Sequence, residues 1–262
     1  MDISYLGYAS DSDLPDICRI WELSFEDSAR LVEKIFKASD LIKNTVVARS
    51  GSKTVSLMCA LDNVQYPGMS YLYAICTDPE YRGLGIGGRV LRATMDCAYK
   101  RGMTTLFLHP ADDSLSGWYQ KEFGMLPWGY YGFSKVSVTG SSADAHEIPP
   151  EEYFRAYGSS ITPEMRSTQL LIAGAYGGHF LKAGGTLVYA EKRNGRITVK
   201  DHIGPLESDA LSAIGGYFGV NTVTVRNVSP ESSDISRSEY LLYVSSLKKA
   251  SLPELRFPFL LD

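Results

Sequence analysis

Arg82 is followed by Gly83-Leu84-Gly85-Ile86-Gly87-Gly88, four glycines in six residues. Where such a run opens a helix, backbone N–H groups without helical partners converge with the positive helix end, and an arginine beside them adds full charge. This is the chemistry of a pyrophosphate cradle. Side chains would keep a ligand from approaching that closely, which accounts for the repeated glycine. A structural turn needing glycine only for packing is the bland alternative. The run can also be read as G-x-G-x-x-G, a dinucleotide-binding turn. Against this, Asp78-Pro79-Glu80-Tyr81-Arg82 separates it from the preceding strand, and His109-Pro110 stands where an acidic ribose partner is needed. No Gly-Lys-Ser/Thr follows, so the run is not a Walker loop.

The elements that must position the cradle follow from periodicity. Ile3–Tyr8 reads as a strand, and Ser10/Asp11 cap a helix with the stripe Leu14, Ile17, Ile20/Trp21. A helix over Asp27–Ala38 comes next, then three strands, Thr45–Arg49, Thr54–Val64 and Tyr71–Thr77, as an antiparallel meander. The cradle helix runs to Arg101 and ends at Gly102, before a buried strand Thr104–Leu108. A helix over Ser114–Glu122 and two strands, Trp128–Phe133 and Ser134–Val138, follow. The polar, turn-rich Thr139–His146 reads as a linker, giving domains at 1–138 and 151–262 joined by 139–150. In the second half a helix over Pro163–Tyr176 precedes a hairpin, Thr186–Lys192 and Arg196–His202, closed by Asn194-Gly195. A helix Ser208–Phe218, a strand Thr222–Arg226 and a helix near Ser236–Lys248 complete it. The order strand, strand, helix, strand repeats that of Thr54–Leu108, which fits either a duplicated fold or coincidence.

Composition sets the frame. With 262 residues, 44% hydrophobic and 21% charged, the chain is globular, with one large domain or two modest ones. A net charge of −4 argues against a nucleic-acid-binding module. Cys18, Cys59, Cys76 and Cys97 are widely spaced without a CxxC pair and read as reduced core residues, with no metal expected. Cys76 lies beside the cradle. Met1-Asp2-Ile3-Ser4-Tyr5 does not read as a secretory signal, and the apolar stretch Leu170–Ala190 is broken by glycines, His179 and Lys182. A soluble, cytoplasmic protein without a membrane partner is the expectation.

Two patches carry a family resemblance. The segment Ile75-Cys76-Thr77-Asp78-Pro79-Glu80-Tyr81-Arg82-Gly83-Leu84-Gly85-Ile86-Gly87, with Leu108-His109-Pro110-Ala111 and Trp118-Tyr119-Gln120-Lys121-Glu122-Phe123-Gly124-Met125, resembles the GNAT superfamily of N-acetyltransferases. One residue is inserted between Tyr119 and Gly124 relative to the commonest family spacing. The resemblance covers about residues 1–138. It implies an α+β fold, a mixed and mostly antiparallel central sheet flanked by helices. The smaller C-terminal α+β domain would then be a degenerate half-repeat of it.

The resemblance further implies transfer of an acetyl group from acetyl-CoA, as co-substrate, to a primary amine of a small molecule or peptide. Arg82, Gly83, Leu84, Gly85, Ile86, Gly87 and Gly88 would hold the pyrophosphate, and backbone at Ile75, Cys76 and Thr77 the thioester carbonyl. Tyr119 would protonate the leaving thiolate, unless it is a core tyrosine packed on Trp118. The base that deprotonates the amine stays open among His109, Asp78, Glu80, Asp262 and water. Asp201-His202-Ile203-Gly204-Pro205-Leu206-Glu207 lacks the arginine–glycine pattern, so the second domain should not bind CoA. It would cover the acceptor side or hold subunits together as a homodimer, with Tyr153, Tyr157, Tyr176, Tyr189 and Tyr217 as cleft lining or ordinary core. A non-catalytic acyl-CoA-binding sensor or assembly module is the competing reading, and a dinucleotide oxidoreductase a weaker third.

Overall fold

The computed structural model describes residues 2–25, 27–39, 41–64, 67–111, 113–139, 144–158, 162–229 and 239–245. The chain separates into two compact units. The first consists mainly of Met1–Leu126, with Thr162–Thr168 and Leu242–Leu252. The second consists mainly of Pro127–Ile161 and Gln169–Leu241.

The first unit starts with strand β1 (Tyr5–Tyr8) and helices α1 (Leu14–Phe25) and α2 (Ala29–Ser39). Strands β2 (Thr45–Ser50), β3 (Lys53–Asp62) and β4 (Met69–Thr77) form the expected meander. Helix α3 (Ile86–Lys100), strand β5 (Thr105–Leu108) and helix α4 (Asp113–Phe123) follow. β4 and β5 are parallel, because α3 carries the chain back over the sheet before β5 begins. The core is made by the buried stripes Ile17, Ile20 and Trp21 of α1, Val32, Ile35 and Phe36 of α2, and Val90 and Leu91 of α3, with the sheet residues Val47, Leu57 and Leu106. Gly102 ends α3 at φ +92°, with Met103 N–H donating to Ala98 O and Gly102 N–H to Tyr99 O.

Strand β6 (Leu126–Ser137) is a single element where two short strands were expected. It belongs to the second unit and pairs antiparallel with β11 (Thr222–Ser229) over eight residues. The expected boundary after residue 138 is therefore corrected to Leu126/Pro127, because backbone pairing carries β6 into the second sheet. Nor is 139–150 simply a linker: β7 (Ala145–Glu147) pairs with Leu181–Ala183, and helix α5 (Pro150–Tyr157) begins at its end. Helix α6 (Pro163–Tyr176), β8 (Gly178–Ala183), β9 (Thr186–Arg193), β10 (Arg196–Ile203) and helix α7 (Ser208–Phe218) lead to β11.

The element order β7-α5-α6-β8-β9-β10-α7-β11 repeats β1-α1-α2-β2-β3-β4-α3-β5. The pairings repeat as well, antiparallel from β7 to β10 and parallel between β10 and β11. Even the helix ends agree. Gly219 closes α7 at φ +68°, with Val220 N–H on Gly215 O and Gly219 N–H on Gly216 O. The helix expected near Ser236–Lys248 is corrected to strand β12 (Glu239–Ser245), antiparallel to β5 through Leu242↔Leu108 to Ser245↔Thr105. Tyr240-Leu-Leu-Tyr-Val244 is a short apolar run whose period fits either element, and the open edge of β5 decides for the strand. The strands of the first unit are thus completed by β12 from the far end of the chain, and those of the second by β6, which directly precedes it in sequence.

Candidate active site

Strand β4 is irregular where the site forms. Opposite β4, Leu57 faces Cys76 and Cys59 faces Tyr73, so two steps on β3 span three on β4. The extra residue is a bulge, with Ala74 at φ +55° in the left-handed region that alanine rarely adopts. Pairing between β4 and β5 stops at Tyr71↔Phe107, although β4 runs on to Thr77. The two parallel strands splay beyond that point. A bulge sharpens local twist, and β5 ends just before His109-Pro110, where proline has no N–H for a ladder. Beyond Tyr71 the β4 backbone, including Ile75, Cys76 and Thr77, has no pairing with β5.

Cys76 and Thr77 face opposite sides of the sheet. The Cys76 thiol meets the Ser24 hydroxyl of α1, and burial pushes it well above the ordinary thiol range, so it is an inert core group. The Thr77 hydroxyl lies on the α3 side, 3.3 Å from where a side chain at Gly87 would begin. It also sits 2.9 Å from the Ser56 hydroxyl.

Asp78 fastens the turn into the glycine run. It is 2% exposed, its Oδ1 accepts from the Glu80 N–H at 3.1 Å, and its Oδ2 lies 2.8 Å from an Arg19 guanidinium nitrogen and 3.0 Å from Lys53 Nζ. Burial raises its pKa, and the hydrogen bonds from Lys53, the Glu80 backbone and Arg19 outweigh that, leaving the carboxyl below the usual range. A carboxylate so held is neither a solvated turn residue nor a base, which removes Asp78 from the candidates. Glu80 is exposed and 3.4 Å from Lys53.

From Asp78 a short 3-10 turn, Pro79–Tyr81, delivers Arg82. Its Nε donates to Thr77 O at 3.0 Å, and a terminal nitrogen reaches the Ser24 hydroxyl at 3.4 Å, so the guanidinium is pre-oriented across the end of β4. Gly83 and Gly85 have φ +77° and +70°, and Gly85 caps α3. A Cβ at either would have nothing within 4 Å, so these glycines satisfy the backbone and leave the approach open. Gly88 serves a different need: its missing side chain would begin 3.5 Å from Trp118 and 3.7 Å from Phe123, which pack α4 against the start of α3. Ile86 is buried and anchors the turn, whereas Leu84 is 55% exposed. The first N–H groups of α3, at Ile86, Gly87 and Gly88, open beyond the helix end and fit a pyrophosphate-bearing co-substrate.

Tyr119 lies next to Trp118 on α4, with ring centroids 4.9 Å apart. It is 3% exposed, and burial pushes its phenol up to about 12. The hydroxyl therefore stays protonated at neutral pH. Sequence reasoning named the glycines, Arg82 and Tyr119 as candidates and did not name Arg19, Lys53, Ser24 or Ala74, which shape the turn and the bulge. Three of these lie more than twenty residues from the loop they support, and the bulge at Ala74 carries no glycine to announce it. Asp262 lies outside the described residues. No group of metal-ligating side chains assembles among the described residues, and none of their helices is long and apolar enough to cross a membrane.

Residues 6–124 match the family model described as acetyltransferase (GNAT) domain. They form a GNAT acetyltransferase domain. No curated protein matches the chain. Solved structures share the fold across both units. A GCN5-related N-acetyltransferase from Anabaena variabilis superposes with TM-score 0.70 at 15% identity over 91% of this chain and 72% of that one. One from Kribbella flavida gives 0.67 at 16% over 92% and 71%. A tandem GNAT protein from the clavulanic acid biosynthesis pathway gives 0.55 at 13% over 92% and 98%. The fold of a GNAT domain followed by a second α+β unit is thus shared with known acyltransferases.

In the second unit, β10 also carries a bulge, between Val199 and Asp201, directly after its parallel pairing with β11 ends at Val199↔Val225. Asp201 Oδ2 accepts from the Tyr153 hydroxyl at 2.5 Å and from the Tyr157 hydroxyl. Burial pushes the Asp201 carboxyl up to about 7, against the lowering pull of those hydroxyls and of Arg226. Tyr153 and Tyr189 are buried in this unit, as core residues.

Proposed function

We propose that the GNAT domain transfers the acetyl group of acetyl-CoA directly to a primary amine. The observation that carries this reading is the splay of β4 from β5 at the Ala74 bulge, opening beside the Gly83–Gly88 turn. In this reading the first N–H groups of α3 and the guanidinium of Arg82 bind the pyrophosphate. The β4 backbone at Ile75–Thr77 offers hydrogen bonds to the carbonyl oxygen as charge builds on it. The amine nitrogen forms the new C–N bond as the C–S bond breaks. Tyr119 donates its phenolic proton to the departing thiolate, and the proton lost by the amine passes to water or to His109.

A second reading keeps the pocket without turnover, as an acyl-CoA sensor, and one observation favours it: the carboxylate beside the turn, Asp78, is locked between Arg19 and Lys53. The second unit we infer to be a degenerate copy that does not bind CoA, because it lacks the arginine–glycine turn and ties Asp201, beside the corresponding bulge, to Tyr153 and Tyr157. Thermal stabilisation by CoA together with thiol release from acetyl-CoA over an amine panel tests the choice. Stabilisation with release on at least one amine supports the transferase. Stabilisation without release on any supports the sensor, and no stabilisation rejects both.

A further inference from the structure

The acceptor's route follows from which face of the sheet is taken. α3 and the glycine turn lie on the Thr77 side, so a pyrophosphate bound there commits that face to the co-substrate. An amine attacking through the gap must come from the Cys76 side, which α1 covers.

That face is aromatic. Tyr71 stacks on Phe107 at 5.1 Å and on Tyr73 at 5.6 Å, and Trp21 meets Tyr73 edge-on at 5.3 Å and Phe25 at 5.7 Å. Trp21, Tyr71 and Phe107 are buried, whereas Tyr73 is half-buried and Phe25 is 36% exposed. Tyr73 immediately precedes the bulge residue Ala74, where β4 parts from β5.

Among the described residues of Leu14–Ser39, every carboxylate already accepts: Asp16 from the Thr54 N–H, Glu22 from the Ala29 N–H, Asp27 from Trp21 Nε1 and Glu33 from Lys37. A ring on the acceptor is recognised by edge-to-face and stacked rings such as those around Tyr73.

We infer that the acceptor is an amine bearing an aromatic ring, directly or through a short alkyl link, with the ring seated against Tyr73 and Phe25. This rests on the transferase reading above. Tyr73 is then a specificity residue, and its hydroxyl is dispensable.

The test compares phenethylamine, its saturated analogue cyclohexylethylamine and spermidine as acceptors, by thiol release from acetyl-CoA with the full chain. The aromatic amine should exceed the saturated one about tenfold in kcat/KM, the worth of one or two ring contacts. Tyr73→Phe should keep that ratio and Tyr73→Leu should bring it near one, with CoA still raising the melting temperature of both variants. Equal use of the two ring amines, or a preference for spermidine, overturns the inference while leaving the transferase reading intact. Absence of release on all three, with CoA stabilisation retained, overturns the inference and points to the sensor.

Discussion

Arg19 on α1 holds Asp78 at 2.8 Å, tying the start of the glycine turn to a helix distant in sequence. Since Lys53 adds a second cation at 3.0 Å, the carboxylate is compensated although buried. Asp78→Asn leaves two positive groups facing a neutral amide and should cost about 2 kcal/mol, since one partner of a buried pair is lost. CoA affinity should fall with it, as the turn loses its anchor. Because the native pKa is depressed, the stability contributed by Asp78 is present above the unfolded carboxylate pKa and is lost as pH falls through the lower native value. Urea melts of variant and wild type at neutral and acidic pH check this, and a difference that does not shrink in acid speaks against the pair.

The bulge at Ala74 is a second point of leverage. Its φ of +55° is strained for a residue with a Cβ and free for glycine. Ala74→Gly should leave stability unchanged or raise it by up to about 1 kcal/mol, while Ala74→Val should lower it by more than that. Thermal melts of the two variants are the measurement. A destabilising glycine would mean that the conformation is not held by the splayed strand.

Gly85→Val should abolish stabilisation by CoA. There is room for a Cβ in the free chain, so the loss comes from the left-handed backbone and from a branched side chain standing in the cradle. The fold should survive with a penalty of about 1–2 kcal/mol. Calorimetric titration with CoA against the circular dichroism spectrum of the variant separates the two effects.

Tyr119→Phe should lower kcat by about a hundredfold or more while changing CoA affinity little, because only the proton for the thiolate is removed. With the phenol pushed up to about 12, the wild-type rate should show no loss from Tyr119 ionisation between pH 6 and about 10. Unchanged turnover in the phenylalanine variant would remove Tyr119 from the mechanism.

Asp201 offers a pH test in the second unit. Its pKa is raised to about 7, so between about 4 and about 7 the folded chain keeps a proton that the unfolded chain has released. The stability contributed by this group is present below that window and is lost as pH rises through it. Asp201→Asn, which never ionises and still accepts from Tyr153 and Tyr157, should gain on the wild type by a few degrees in melting temperature from pH 5 to pH 8. A constant difference across that range would place the Asp201 pKa back in the ordinary carboxylate range.

The sequence by itself determined the glycine turn, the meander before it, the cradle helix with its Gly102 cap, and the hairpin at Asn194-Gly195. All of these rest on local rules of backbone conformation and periodicity within a few residues. Tertiary structure alone decided the rest. The gap depends on where β4 stops pairing with β5, and the anchoring of Asp78 on α1 and β3 partners remote along the chain. The placing of β6 and β12 turns on which strand edge is open, a property no single segment carries, so Tyr240–Val244 reads as a helix in sequence and becomes a strand where β5 supplies the partner. Chemistry written in one short run was legible from its residue types; its support, scattered along the chain, became visible only when backbone hydrogen bonds and buried charge had to be satisfied in three dimensions.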